Sequence, residues 1–158
     1  MKNDEMENDE MEMTGAGWED HWAADSCVLR EDGVVYDLEE RTARFGEAII
    51  DFCAGIALGP RTNRLIDQLT GCGTSMGGNY CEADDALSKK AFAKIIGICR
   101  KEARETRFFL RMIARACPEQ KPQARRLWQE ATELHLIFSK IWRTTRKALN
   151  EGGKTNDK

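Results

Sequence analysis

Arg100, Arg104, Arg107, Arg111 and Arg115 follow one another at steps of four, three, four and four. On a helix turning about 100° per residue they form one narrow basic stripe. Guanidiniums in such a row suit the phosphates of a nucleic-acid backbone. Each offers a planar fork of N–H donors to anionic oxygens, and the contact reads charge and spacing rather than base sequence. No acid shares their arc, which favours an external anion over a face already neutralised. The alternative is a solvated face paired with acids of the next helix or of a neighbouring subunit. Ile96, Cys99, Ala103, Leu110 and Ile113 fall on the opposite, core-facing side, while Phe108 and Met112 lie beside the arginines, away from any single core. An apolar pair in that position suits a contact with a sister subunit. The segment therefore has three surfaces to satisfy: a core, a second copy and an anionic partner.

Catalytic and metal chemistry has less to stand on. A carboxylate-bridged di-metal bundle needs inward glutamates and a Glu-x-x-His pair on each of two helices. The two histidines are His21 and His135. The acid nearest His135 is Glu133, two positions away and so about 200° round a helix. "GCGTSMGG" lacks the lysine of a phosphate-cradling loop and lies within a helical pattern. The six cysteines include no C-x-x-C pair, and Cys53, Cys72 and Cys99 fall on core-facing stripes, where a reduced thiol behaves as a small hydrophobe. A non-enzymatic protein without cofactor or metal is expected.

The elements that must position the stripe are long helices. A chain of 158 residues allows one ordinary domain with a sizeable core, and three prolines leave room for uninterrupted helices. The first helix is expected to open at Asp37, where "DLEE" puts Glu40 three residues beyond an acidic N-cap, and to stop at "LGP", 58–60. Its inner stripe runs Leu38, Thr42, Phe45, Ile49, Phe52 and Ile56. The second spans about Thr62 to Leu87 and carries Gly71, Gly73, Gly77 and Gly78, each costing roughly 1 kcal/mol against Ala in a helix interior. Gly71, Ser75 and Gly78 share a side, where another helix can approach closely or the axis can kink. The third starts at Ser88 or Lys89 and ends by Pro118; the fourth runs from about Pro122 to Asn150, with Leu127, Ala131, Leu134, Phe138, Ile141, Trp142, Thr145 and Leu149 inward. These patterns predict an all-α, up-down-up-down four-helix bundle over residues 34–150.

The formal charge of −3 hides a division. Residues 1–36 hold eleven acidic and two basic residues, a net of −9, and the rest of the chain holds sixteen and twenty-two, a net of +6. Within that acidic arm "NDEME" occurs twice in succession, and residues 1–33 are too polar to offset their own ordering entropy, so they are expected to be disordered. Trp18 and Trp22, four apart, would let a short turn of the arm dock on a surface. Residues 151–158 read as a flexible tail. No stretch approaches the roughly 20 apolar residues that span a bilayer. The first residues show neither a secretory signal nor a transit peptide, and a cytoplasmic protein without a membrane partner is expected.

"YDLEERTARF" in the first helix, "LIDQLTGCGTSMGGNYCEA" in the second and "KEARETRFFLRMI" in the third closely resemble the 23S rRNA intervening-sequence protein family, also called the four helix bundle protein family. The resemblance covers roughly residues 35–149. It implies a left-handed bundle assembled into a ring-shaped homopentamer, with many relatives encoded inside insertions in large-subunit ribosomal RNA genes and no established molecular role. A similar bundle pentamer serves diversity-generating retroelements as the accessory protein that holds the reverse transcriptase and its RNA, a fold-level analogy. The resemblance singles out Glu102, Glu105 and Thr106, which match "KEAxET", and Asn79 and Glu82, which match "ANxxEA". Glu102 is placed to pair with an arginine across the bundle, and Asn79 and Glu82 to hydrogen-bond the third helix. Two departures stand out: Gly71-Cys72 replaces the family's Arg-Ser before "GTS", and Gly78 replaces its Ala before Asn. The expected function is an oligomeric scaffold whose basic third helix binds RNA or a nucleic-acid enzyme, with Phe108, Met112, Gly71, Ser75 and Gly78 between subunits. The alternative is a purely structural oligomer with no nucleic-acid ligand.

Overall fold

The computed structural model describes residues 37–152; the arm, with Trp18 and Trp22, and residues 153–158 lie outside the described residues. Four helices follow, α1 (Leu38–Ala54), α2 (Asn63–Asp84), α3 (Lys89–Ala116) and α4 (Lys121–Gly152), with a 3-10 turn at Pro118–Gln120 leading into α4. No strand occurs among the described residues, and none of the described helices is long and apolar enough to cross a membrane.

The starts of α1 and α3 are written in capping chemistry. The Asp37 carboxylate accepts from the Glu40 backbone N–H at 3.1 Å, and the Ser88 hydroxyl accepts from that of Ala91 at 3.1 Å. Each satisfies one of the amide donors that a helix leaves unpaired at its N-terminus. The ends depart from expectation by a few residues. The second helix stops at Asp84 rather than reaching Leu87, because Ser88 must be extended (φ −151°, ψ 153°) to cap α3. Leu87 consequently stands fully in solvent instead of on the inner face. α1 ends at Ala54, where the N–H groups of Gly55 and Ile56 turn back to the carbonyls of Phe52 and Cys53, yet Ile56 still enters the core. α4 runs two residues past Asn150, its last turn carrying a Lys147–Glu151 pair at 3.9 Å.

Pairs between helices establish the topology. Gly73 faces Ile49 and Gly77 faces Thr42; Arg107 faces Trp128 and Gly97 faces Trp142. In both seams one residue number rises as the other falls, so α1 runs antiparallel to α2 and α3 to α4. The α3–α4 and α2–α3 seams are the most extensive, and α1 touches α4 least. That thin seam is closed by Arg41, whose guanidinium donates to both carboxylate oxygens of Glu130, at 2.6 and 3.0 Å, and to Glu133. The two carboxylates hold the Arg41 guanidinium still further above its ordinary pKa, against the opposing effect of burial. At the other end of the seam the Gln120 amide donates to the Gly55 carbonyl at 3.3 Å.

Inside, Phe52, Ile49, Leu69, Met76, Ile96, Leu110, Ile113, Leu134 and Phe138 are fully buried, largely as the helical periodicity predicts. Cys53, Cys72 and Cys99 are buried too, and burial pushes the Cys72 thiol up to about 11 and that of Cys99 to about 12. They are protonated, unreactive core fillers.

The glycines of α2 do not act on the side expected. Nothing lies within 4 Å of where a Cβ on Gly71 or Gly78 would be, so neither admits another helix of this chain. The close approach belongs to Gly73 and Gly77: a Cβ on Gly73 would meet the Ile49 side chain at 2.9 Å, and one on Gly77 would meet Thr42 at 3.4 Å. Across the seam, Gly46 of α1 reciprocates by lying against the Thr74 backbone. Gly73→Ala should therefore lower the melting temperature, because overpacking costs about 1–3 kcal/mol and the helix-propensity gain returns only about 1. Gly71→Ala and Gly78→Ala should each raise it through that same gain of about 1 kcal/mol. If either instead lowers the assembled mass in light scattering, that glycine is in contact between subunits.

Candidate nucleic-acid interface

All five arginines of the stripe lie along the edge of α3. Arg100, Arg107 and Arg111 are half-buried, and Arg104 and Arg115 are exposed. Among the described residues, no carboxylate lies within ion-pairing distance of Arg100, Arg104, Arg111 or Arg115. Two tryptophans of α4 meet the stripe. The Arg100 guanidinium sits 4.2 Å from the centre of the Trp142 ring, and that of Arg107 sits 4.5 Å from the centre of the Trp128 ring. Arg146 approaches Trp142 as well, at 5.3 Å.

The geometry has a local cause. Trp128, His135 and Trp142 recur every seven residues, so they stand on one side of α4. The Trp142 indole needs a floor, and Gly97 of α3 supplies it: a Cβ there would meet Nε1 at 3.2 Å. A guanidinium stacked on an indole gains about 0.5–2 kcal/mol and loses its freedom to swing, while the N–H groups at its edge point out of the stack. A phosphate approaching in the plane of the guanidinium finds them oriented. Trp128, 4% exposed, was absent from the inner stripe read off the sequence; it borders both the core and the arginine seam, and the heptad spacing to His135 and Trp142 is the signal that would have found it.

His135 lies between the two tryptophans, and its imidazole pKa is held below the ordinary value, first by burial and then by the charges of Arg107, Arg100 and Arg104. It is neutral at pH 7, leaving the positive charge of the seam to the arginines. The acids of α4 are spent elsewhere, with Glu130 and Glu133 turned to Arg41 of α1.

The remaining residues singled out by sequence have local roles. Glu102 does not pair with an arginine. It is half-buried, and its carboxyl is raised by burial and by Glu105 beside it; both carboxylates also raise the Cys72 thiol of α2, which puts them on the flank away from α4. Glu105 pairs with Lys101 of its own helix at 3.2 Å. Thr106 is fully buried, its hydroxyl donating to the Glu102 carbonyl at 2.8 Å. Asn79 does not reach α3, its amide donating to the Ser75 carbonyl one turn back at 2.8 Å, and Glu82 is exposed. Phe108 is 53% exposed and meets Phe109 edge-on, with ring centres 5.2 Å apart, above a cleft that Gln68, Lys101 and Arg104 also line. Met112 is half-buried nearby. Among the described residues no three of His, Cys, Asp and Glu gather as a metal site.

No protein-family model matches the chain, and no curated protein does. A solved structure does: a protein of unknown function from the S23 ribosomal protein family of Bacteroides thetaiotaomicron VPI-5482, at a TM-score of 0.61 and 24% identity, covering 66% of this chain and 97% of that one. At that identity the likeness is one of fold.

The depressed His135 makes stability depend on pH. Protons bind the unfolded chain's imidazole before the folded one's, so this contribution is complete above about pH 6.5 and is lost as the pH falls below it. Thermal melts from about pH 7.5 to 5 should show a falling midpoint, and His135→Gln should flatten that slope. An unchanged slope would mean that the arginines and the burial do not act on His135.

Proposed function

We propose that this chain is a non-enzymatic, self-assembling member of the 23S rRNA intervening-sequence family, resident in the cytoplasm, whose α3–α4 face binds RNA through its phosphates. The observation that carries the reading is the charge left on the stripe: Arg100, Arg104, Arg111 and Arg115 lie in no ion pair among the described residues, and Arg100 is held by the Trp142 ring rather than by a carboxylate. A row built only for stability would gain from acids on α4, and α4 has them, turned to α1 instead. The resemblance of the first three helices supports the family, and the fold of the S23-family protein agrees with it. Phosphate contact predicts broad sequence tolerance and strong dependence on salt.

Binding of the full-length protein to a single-stranded RNA, titrated at several salt concentrations, tests this. Affinity should fall steeply as salt rises. Replacing Arg104 and Arg111 by Gln should weaken binding at every sequence and reduce the slope of log K against log salt by about 1.4, at roughly 0.7 for each phosphate of a single strand that is no longer neutralised. Binding that ignores salt, or that the double variant leaves unchanged, overturns the reading.

Self-assembly rests on the exposed Phe108 and its neighbour Met112. Light scattering should report an oligomer, and Phe108→Glu with Met112→Glu should lower the mass while circular dichroism holds, since like charges then face each other at the contact and the core is untouched. A monodisperse monomer of the unaltered chain at micromolar concentration refutes assembly.

A further inference from the structure

We propose that the acidic N-terminal arm of this chain docks in the basic cleft at the open end of the α3–α4 seam. The cleft, ≈ 520 Å³, lies where the first turns of α3 meet the last turns of α4. Lys90, Lys94 and Arg146 supply its charge, and Trp142, Ala93 and Leu149 supply apolar wall. No carboxylate lines it, and none among the described residues pairs with its three exposed cations. A surface with this make-up fits an anion that also carries apolar rings.

Within the chain, one segment has that chemistry. Residues 1–36 carry a net charge of −9 together with Trp18 and Trp22. Several acids of the bundle are already engaged with basic partners: Glu130 and Glu133 with Arg41, Glu40 with Arg44, Asp67 with Arg64, and Glu105 with Lys101. The arm's attachment also favours it. It joins the bundle at Asp37, one turn before Arg41, which holds α1 against α4, so its attachment point lies near the helix that bears Trp142 and Arg146. Trp22 precedes Asp37 by fifteen residues. At about 3.3 Å per residue that is a reach of roughly 50 Å, several times the 10–12 Å girth of the helix to be rounded. Tethering puts the arm at an effective concentration in the millimolar range, so even a weak contact is populated. Exposed charges of this kind are screened beyond about 10 Å at 0.1 M salt, so salt should release the arm. The inference rests on the cleft and the charge of the arm, and it stands or falls without RNA. Where both hold, arm and RNA exclude each other from the cationic end of the seam.

Full-length protein labelled with 5-fluorotryptophan tests it in the absence of RNA. The chain's four tryptophans each give a fluorine resonance, and Trp18→Phe and Trp22→Phe variants identify those of the arm. At about 20 mM NaCl the two arm resonances should be displaced from their positions in a synthetic peptide of residues 1–36, and should return to them by about 0.5 M. Lys90→Glu, Lys94→Glu and Arg146→Glu combined should put them at the peptide positions already at low salt, with helicity unchanged. Arg126→Glu with Lys140→Glu, outside the cleft, should leave them displaced. Arm resonances at the peptide positions in the unaltered protein at low salt overturn the proposal. So does equal displacement in the cleft variant, which puts the arm elsewhere, or release by the control pair, which makes overall charge rather than the cleft responsible.

Discussion

A helix that carries five arginines along one edge and a core along another can be packed against a neighbour only if something meets the charged edge. Carboxylates would meet it at the cost of desolvating both partners, and they would neutralise it. Here two indoles meet it instead. An indole face accepts a guanidinium while leaving its donors at the rim of the stack, so Arg100 can lie in the long α3–α4 seam without losing its charge to a carboxylate. Much of what is particular to this bundle follows from that choice. Gly97 is needed because the Nε1 edge of Trp142 comes close against α3, and His135, caught between two tryptophans and facing three arginines, is held neutral.

The same choice divides the charges around α4. Two of its acids turn to α1, where the fork of Arg41 spans Glu130 and Glu133 and closes the least extensive seam of the bundle. Of its bases, Arg146 turns to Trp142 beside the α3 seam. One helix thus separates a self-neutralised seam that holds the fold from one along which Arg100, Arg104, Arg111 and Arg115 keep their charge unpaired among the described residues. The acidic arm belongs to this division, since the chain supplies in its own first 36 residues the negative charge that the seam lacks.

The α1–α2 seam is settled by volume rather than charge. Gly73 and Gly77 let α1 come close enough for Ile49 and Thr42 to lie where side chains would otherwise stand, which offsets the helix propensity that the glycines forfeit. Gly71 and Gly78 forfeit it with no such return inside the described chain. With the exposed Phe108 of α3, they are what the fold leaves unexplained by its own core.

Much was legible in the sequence because it is local. The helix starts follow from Asp37 and Ser88 as amide acceptors, and the buried stripes and the alignment of the five arginines follow from the fixed turn per residue. That turn says which side chains of one helix share a face, and it is the same whatever the helix packs against. It does not say which faces meet. The rotation of each helix about its axis is set by all four helices packing at once, and that rotation decided the rest: Gly73 and Gly77 turned to α1 while Gly71 and Gly78 did not, Glu102 turned away from α4, and Asn79 stayed on its own helix. Trp128 shows the limit most clearly. By its position it could have served the core or the arginine seam, and only the approach of Arg107 from α3 shows that it serves both.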